Sequence, residues 1–248
     1  MTRRTSPRPP RLAAALAAAL GVALLPASAA ATDLRLGADL AWVRDSSFDA
    51  FWENDLLGRL DLCLSYTPLA LGPFRLDVEV GYGYAGYLSA VSNFDQVRSS
   101  LSIHDVYAGL RASFAPEEAS WVRPYARVQG GLAIGLGSFA DEGPRADPLA
   151  EPLRSSEADD LGGLVYGGGG VEFALPLGAL MDEPPELLSE PMAFGVFVEG
   201  GYFYRTPLDF SPSVSSSDDP DRIPVQGFSA GDLDLSGGEL RVGFVARL

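Results

Sequence analysis

The 248-residue chain contains one cysteine, Cys63, one histidine, His104, and no lysine, so that all 18 of its cations are arginines. A lone thiol has no partner for a disulfide within the chain, and one Cys with one His falls short of the four N/S ligands of a structural zinc site. No metal or other cofactor is expected, and Cys63 reads as a small buried filler. Against 33 acids the arginines leave a formal charge of −15 and a pI near 4.4. Such a chain, without a basic patch, repels a polyphosphate, which argues against nucleic acid as a partner.

Long apolar runs are also scarce. The one that exists, Leu12 to Leu25, follows Arg3, Arg4, Arg8 and Arg11 and ends at Pro26 and the small residues Ala27 to Ala31. It is too short for a membrane helix and has the order of a secretory signal peptide, cut between about Ala29 and Ala31. The expected division is a signal peptide over 1–30 and a single β-barrel domain over 31–248. Loss of the four leader arginines leaves 14 Arg against 33 acids, a net of −19. The mean hydropathy is nevertheless +0.10, so the apolar residues of the exported part must be interleaved with polar ones.

From Asp33 onward the hydrophobic period is two, the mark of strands with unlike faces. Eight such segments lie at about 33–43, 55–66, 73–87, 102–114, 121–138, 161–175, 192–205 and 235–248. In the second, Leu56, Leu60, Leu62, Leu64 and Tyr66 alternate with Arg59, Asp61, Cys63 and Ser65. In the third, Phe74, Leu76, Val78, Val80, Tyr82 and Tyr84 alternate with Arg75, Asp77, Glu79, Gly81 and Gly83. The fifth sets Val122, Ala126, Val128, Leu132, Ile134 and Leu136 against Arg123, Tyr125, Arg127 and Gln129. Most segments reach the roughly nine to eleven residues that a tilted strand needs to cross a bilayer.

The polar face carries nine arginines (Arg35, Arg59, Arg75, Arg111, Arg123, Arg127, Arg205, Arg241, Arg247) and eight acids (Asp39, Asp61, Asp77, Glu79, Asp105, Glu172, Glu199, Glu239), a net of +1 in a strongly acidic chain. A solvated face has no need of balance, whereas a closed interior does, because a buried unpaired charge is expensive. The sequence therefore predicts an all-β, eight-stranded antiparallel up-and-down transmembrane β-barrel, apolar outside. Its interior would be an ion-pair core of Arg59, Asp61, Arg75, Asp77, Glu79, Asp105, Arg111, Arg123, Arg127, Glu172, Glu199 and Arg241. Tyr125, Gln129, Ser65 and the glycines would fill the rest, and eight strands leave no room for a wide pore.

The connections support the same picture. Those at about 44–54, 88–101, 139–160 and 206–234 are long, and those at 67–72 and 115–120 are short, as between the outer and periplasmic ends of a membrane barrel. The connection 176–191 is longer than this scheme wants. With both termini periplasmic, Tyr66, Phe74, Phe114, Trp121, Phe173, Phe194 and Phe244 fall at the inner interface. Trp42, Tyr82, Tyr84, Tyr87, Phe139, Tyr202 and Tyr204 fall at the outer one, giving two aromatic girdles. A hairpin hidden in 206–234 would make ten strands.

The leader, the eight alternating strands, the unequal connections and the final strand resemble the eight-stranded outer-membrane β-barrel family typified by the OmpA-like membrane domain. The ending Arg241-Val242-Gly243-Phe244-Val245-Ala246-Arg247-Leu248 is similar to that family's terminal assembly signal, with Arg241, Gly243, Ala246 and Leu248 in its defining positions and Leu248 in place of the usual aromatic. The resemblance implies a cell outer membrane location, outer-membrane lipid and lipopolysaccharide as surroundings, and the barrel-assembly machinery as a partner.

Few residues invite a catalytic reading. Ser102 and His104 share one face at period two, but Asp105 points the other way, so a nucleophile-base pair would lack its orienting acid. The glycines Gly162, Gly163 and Gly167 to Gly170 are not followed by Lys or a helix and read as room for large interior side chains. Acidic runs at 157–160, 218–221 and 232–234 lack the spacing of a calcium loop. The expectation is a non-catalytic structural or surface-interaction protein whose loop ligand is unspecified. Its rivals are a lipid A-modifying barrel hydrolase and a soluble periplasmic barrel with its faces reversed around a small apolar ligand.

Overall fold

The computed structural model describes residues 32–52, 54–92, 97–115, 121–141, 156–175, 194–210 and 231–247. The leader 1–30, Leu248 and the connection 176–191 lie outside them. Eight long strands pair in the cyclic order β1-β10-β7-β6-β5-β4-β3-β2, every pair antiparallel, so the sheet closes on itself. They are β1 Thr32–Val43, β2 Leu56–Leu71, β3 Phe74–Ser92, β4 Val97–Phe114, β5 Val122–Asp141, β6 Ser156–Leu175, β7 Phe194–Arg205 and β10 Gly237–Arg247. The last connection holds a two-residue ladder, β8 Leu208–Asp209 with β9 Asp232–Leu233, which is separate from the barrel wall. The barrel therefore has eight strands and not ten.

Alternation places the faces as the sequence demands, because successive side chains of a strand point to opposite sides. Leu60, Leu62, Leu64, Val128, Leu132, Val198, Leu240 and Val242 are exposed on the outside, while Arg35, Asp61, Glu79, Arg111, Glu199 and Arg241 are buried inside. The reversed-face arrangement is thus not the one adopted. At one end of the wall Tyr66, Phe74, Phe114, Trp121 and Phe244 are exposed, and at the other Trp42, Tyr82, Tyr202 and Tyr204. The side chains of Tyr87 and Phe139 lie outside the described ones.

Strand ends depart from the sequence reading in several places, among them the far ends of β5 and β6, which run to Asp141 and from Ser156 into the expected connection 139–160. β2 and β3 run on to a two-residue turn, Gly72-Pro73, so 67–71 is strand with a bulge after Tyr66 rather than connection. Gly72 takes φ +58°, a conformation that suits glycine. At the opposite end β3 and β4 continue to Ser92 and Val97, leaving only 93–96 between them where a long loop over 88–101 was expected. The sequence reading ended the strands at the aromatic girdle, but pairing needs no lipid and continues past it.

The wall is consequently uneven. β6 pairs with β5 from Phe173 opposite Val122 to Ser156 opposite Phe139, but with β7 only as far as Leu164 opposite Arg205. β3 likewise meets β2 only up to Tyr84, yet follows β4 to Ser92. β3 to β6 therefore stand as an open four-stranded sheet above the closed part, extending about 26 Å of strand at 3.3 Å per residue. β7 stops because Pro207 follows. Thr206 completes the ladder by donating its N–H to the Gly163 carbonyl (2.9 Å) and accepting the Gly163 N–H on Oγ1 (2.8 Å), after which the chain turns inward.

Candidate functional site

The interior has two tiers. The tier nearer the termini and through the centre is a column of ion pairs. Near its base the Arg111 guanidinium contacts four carboxylates, Asp33 and Asp77 at 2.8 Å, Glu79 at 3.3 Å and Glu172 at 3.4 Å. Arg247 binds Glu172 as well. In the middle, Arg127 reaches Glu199 at 2.7 Å and Arg241 reaches Asp39 at 2.6 Å, Glu239 at 2.7 Å and Asp61 at 3.4 Å. Above them Arg59 holds Asp39 (2.7 Å), Asp105 (2.8 Å) and Glu239 (3.2 Å), and Arg205 closes on Asp105. Desolvating a charge is repaid only where several partners converge, and the planar five-donor fork of arginine suits such a shared site better than an ammonium.

Aromatic side chains fill the gaps between these charges. The Arg35 guanidinium lies 4.1 Å from the Phe197 ring centre and 4.7 Å from that of Tyr125, to whose hydroxyl it donates at 2.8 Å. Phe203 is shared by Arg205 (4.2 Å) and Arg59 (4.8 Å), and Tyr166 by Arg241 (5.2 Å) and Arg127 (5.3 Å). Such contacts strengthen when desolvated. Tyr125 and Tyr166 both donate to Glu199, at 2.8 and 2.6 Å, and Gln129 donates to Glu79 at 3.2 Å. Inward glycines make the space: a Cβ at Gly168 or Gly201 would strike the Tyr166 hydroxyl, and one at Gly81 the ring of Tyr107.

All twelve expected core residues point inward. Arg75 and Arg123 are only half-buried, Arg75 donating to the Thr67 hydroxyl at 2.9 Å. The sequence reading left Asp33 out of the polar-face charges, but it is 1 % exposed and bound to Arg111. It begins the first strand, where one more alternation is invisible in sequence. With Asp33, the described inward face of the closed part of the wall carries nine acids against nine arginines and is neutral. Tyr107, Tyr166, Phe197 and Phe203 were also missed as interior residues, because an aromatic on a strand suits either face. Of the assembly-signal positions, Arg241 is buried among carboxylates, Gly243 packs against Gly37 and Phe197, and Ala246 pairs with Leu34.

The second tier corrects the expectation that the inward face is charged throughout. At the end carrying the long connections the barrel mouth is filled by Phe48, Phe51, Leu208, Phe210, Leu233 and Leu235, packed on Ala41, Val43, Leu57, Ala85, Leu101 and Ile103 of the wall. Phe48 and Phe51 come from the first connection, which forms a 3-10 turn Ser46–Ala50 capped by Asp45. The other four come from the last. A Cβ at Gly135 would lie 2.6 Å from Phe210 and 2.8 Å from Leu208, and one at Gly162 2.9 Å from Leu208, so the wall is hollowed to receive them. Asp45 ties the two connections together, accepting the Ser47 N–H at 2.9 Å and the Asp234 N–H at 2.7 Å. Alternate apolar residues within 206–234 were the available signal, hidden by the acidic and Pro/Ser composition around them.

Ser102 and His104 do share the outward face. The His104 Nδ1 lies 2.6 Å from the Tyr82 hydroxyl and its ring 5.1 Å from that of Tyr84, while Asp105 faces inward to Arg59 and Arg205. Among the described residues no group of three or more His, Cys, Asp or Glu is placed to hold a metal ion.

No family model and no curated protein matches the chain. Among solved structures it is similar to Ail, the attachment invasion locus protein of Yersinia pestis (TM-score 0.42, 14% identity, covering 88% of this chain and 99% of that one). It is also similar to Neisserial surface protein A (0.38, 13%, 90% and 100%) and to the translocator domain of the autotransporter NalP from Neisseria meningitidis (0.34, 10%, 96% and 98%). The strand pairing and the two faces, rather than these distant likenesses, define the architecture.

Proposed function

We propose that the chain is an outer-membrane β-barrel without catalytic activity that serves as a surface-interaction protein. The observation that supports this most directly is the distribution of its faces: a closed ring of exposed Leu, Val and aromatic side chains around a buried, charge-balanced column. A monomer in water rarely exposes so large an apolar patch, whereas in lipid the closed ladder satisfies every backbone group of the span. Outer-membrane lipid and lipopolysaccharide would surround the ring, and insertion would need the barrel-assembly machinery.

The filled interior and the apolar cap argue against a pore, and Asp105, committed to Arg59 and Arg205, is not available to a Ser102-His104 pair. What remains for function is the surface beyond the outer girdle, chiefly the standing sheet. The test is fractionation of the expressed full chain with gel mobility before and after boiling as the readout. Recovery in the outer membrane with a heat-sensitive band is expected; recovery in the soluble periplasm would overturn the reading.

A further inference from the structure

Arg35 stands apart from the other buried arginines. Arg59, Arg111, Arg127, Arg205 and Arg241 each hold a carboxylate. Arg35 is 1 % exposed, yet among the described residues no carboxylate forms an ion pair with it, and its Nε and Nη1 have no acceptor. Its Nη2 donates to the Tyr125 hydroxyl at 2.8 Å, which in turn donates to Glu199 at 2.8 Å. The rings of Phe197 and Tyr125 attract the charge without supplying the counter-charge. A buried cation and buried N–H groups left in this way are both costly.

The charge column is neutral as a whole but not along its length. Arg127 divides it, spanning Glu79 at 3.6 Å and Glu199 at 2.7 Å. Toward the chain termini, Arg35, Arg75, Arg111, Arg123 and Arg247 face only Asp33, Asp77, Glu79 and Glu172, all four of which converge on Arg111. Beyond the division four arginines face five acids, and the surplus is accommodated because Asp39 and Glu239 each contact both Arg59 and Arg241. The lower part therefore lacks one negative charge, and Arg35 is the arginine that lacks it.

The surroundings set the size and route of what could supply it. Opposite Arg35 on the neighbouring strands stand Cys63 and Val245, both buried. Diagonal to it, the buried Ser65 Oγ also lacks a partner, while Asp33 is already bound by Arg111 and Arg247. A phosphate or carboxylate would bring further oxygens that need donors of their own, whereas a monatomic anion would not. At the terminal end of the barrel Asp33, Asp77 and Glu172 are covered, but Arg75, Arg123 and Arg247 remain partly exposed. That entrance favours anions, and the opposite end is closed by the apolar cap.

We propose that Arg35 anchors a buried site for a single halide ion, chloride in ordinary surroundings, reached from the end that carries Arg75, Arg123 and Arg247. The site needs only the closed barrel and does not rest on the surface-interaction reading.

The test uses the full chain folded in detergent micelles, with sodium gluconate exchanged for sodium chloride at constant ionic strength and heat-sensitive mobility recorded on each sample. The Arg35 Nε–H resonance should shift saturably with chloride, and those of Arg59 and Arg111 should not. The urea midpoint of the wild type should rise with chloride, and that of Arg35→Met should stay fixed. In gluconate alone Arg35→Met should be at least as stable as the wild type, because it removes a buried charge without a counter-ion. Arg35→Lys keeps the charge but not the fork, and should bind chloride severalfold more weakly. An Arg35 resonance indifferent to chloride, an equal shift at all arginines, or a chloride effect that survives in Arg35→Met would overturn the proposal. The resonance is read on the wild type, so it decides the matter even if a variant fails to fold.

Discussion

The rings of Phe51 and Phe210 meet edge to face, 5.9 Å apart at an interplanar angle of 61°, although one belongs to the first connection and the other to the last. Their contact closes the mouth of the barrel, so its loss should loosen both connections at once. Phe210→Ala is expected to raise the rate of proteolysis within 44–55 as well as within 206–236 while leaving heat-sensitive mobility intact. The double substitution with Phe51→Ala should show a coupling of about 0.5–1.5 kcal/mol. Strictly additive effects would mean that the two connections close the mouth independently.

Gly135→Leu attacks the same closure from the wall. Its side chain would occupy the space of Phe210 and Leu208, so the predicted outcome is a displaced last connection on an intact barrel. Amide exchange at Leu208 and Leu233 should accelerate, and exchange in the closed part of β5 should not.

Arg111→Met would leave Asp33, Asp77, Glu79 and Glu172 without their shared cation. Breaking a buried ion pair from one side costs about 3–5 kcal/mol, and a lower urea midpoint for unfolding in detergent is the expected readout. Arg111→Lys should recover only part, since an ammonium cannot span four carboxylates.

Val198→Arg places a charge on the exposed face, midway between the two aromatic girdles and beside Val242 and Val171. In a lipid-facing position the cost is about 2–4 kcal/mol. Folding yield into phospholipid vesicles should fall accordingly, whereas a variant indifferent to lipid would contradict the assignment of this face.

Asp45 makes the closure sensitive to acid. Burial raises its carboxyl, but the N–H groups of Asp234 and Ser47 outweigh burial and hold it below the ordinary value of 3.8. A group depressed in the folded state contributes stability above its unfolded pKa and loses that contribution as pH falls through the folded one. The Asp234 amide proton should therefore titrate with a midpoint below 3.8, and Asp45→Asn should abolish the titration. A midpoint above that value would mean that the two backbone donors do not engage the carboxylate in solution.

Strand number, order of faces and the charge column were legible because period two is imposed by the backbone itself and a buried charge must be matched. Arg59, Asp105 and Arg241 announce themselves on alternate positions of segments that are otherwise apolar. Phe197 and Phe203 do not, since the same ring serves a lipid face, a girdle or a guanidinium equally well. Phe48 and Leu208 were illegible for a different reason: their burial depends on a meeting between distant connections, and local composition pointed to solvent. The standing sheet was missed because girdle aromatics such as Tyr84 mark where lipid ends, not where hydrogen bonding does.

The pairing of β1 with β10, from Asp33 opposite Arg247 to Val43 opposite Gly237, joins the earliest strand of the wall to the latest. Contacts of such sequence separation form slowly, because the loop entropy is lost before any bond rewards it. Until β10 arrives, β1 holds Asp33 and Asp39 on a sheet with an open flank, where their counter-charges Arg247 and Arg241 on β10 are missing. The last strand is thus a keystone: the charges tolerate lipid on all sides only after it is seated, and a chain halted at β7 would expose them.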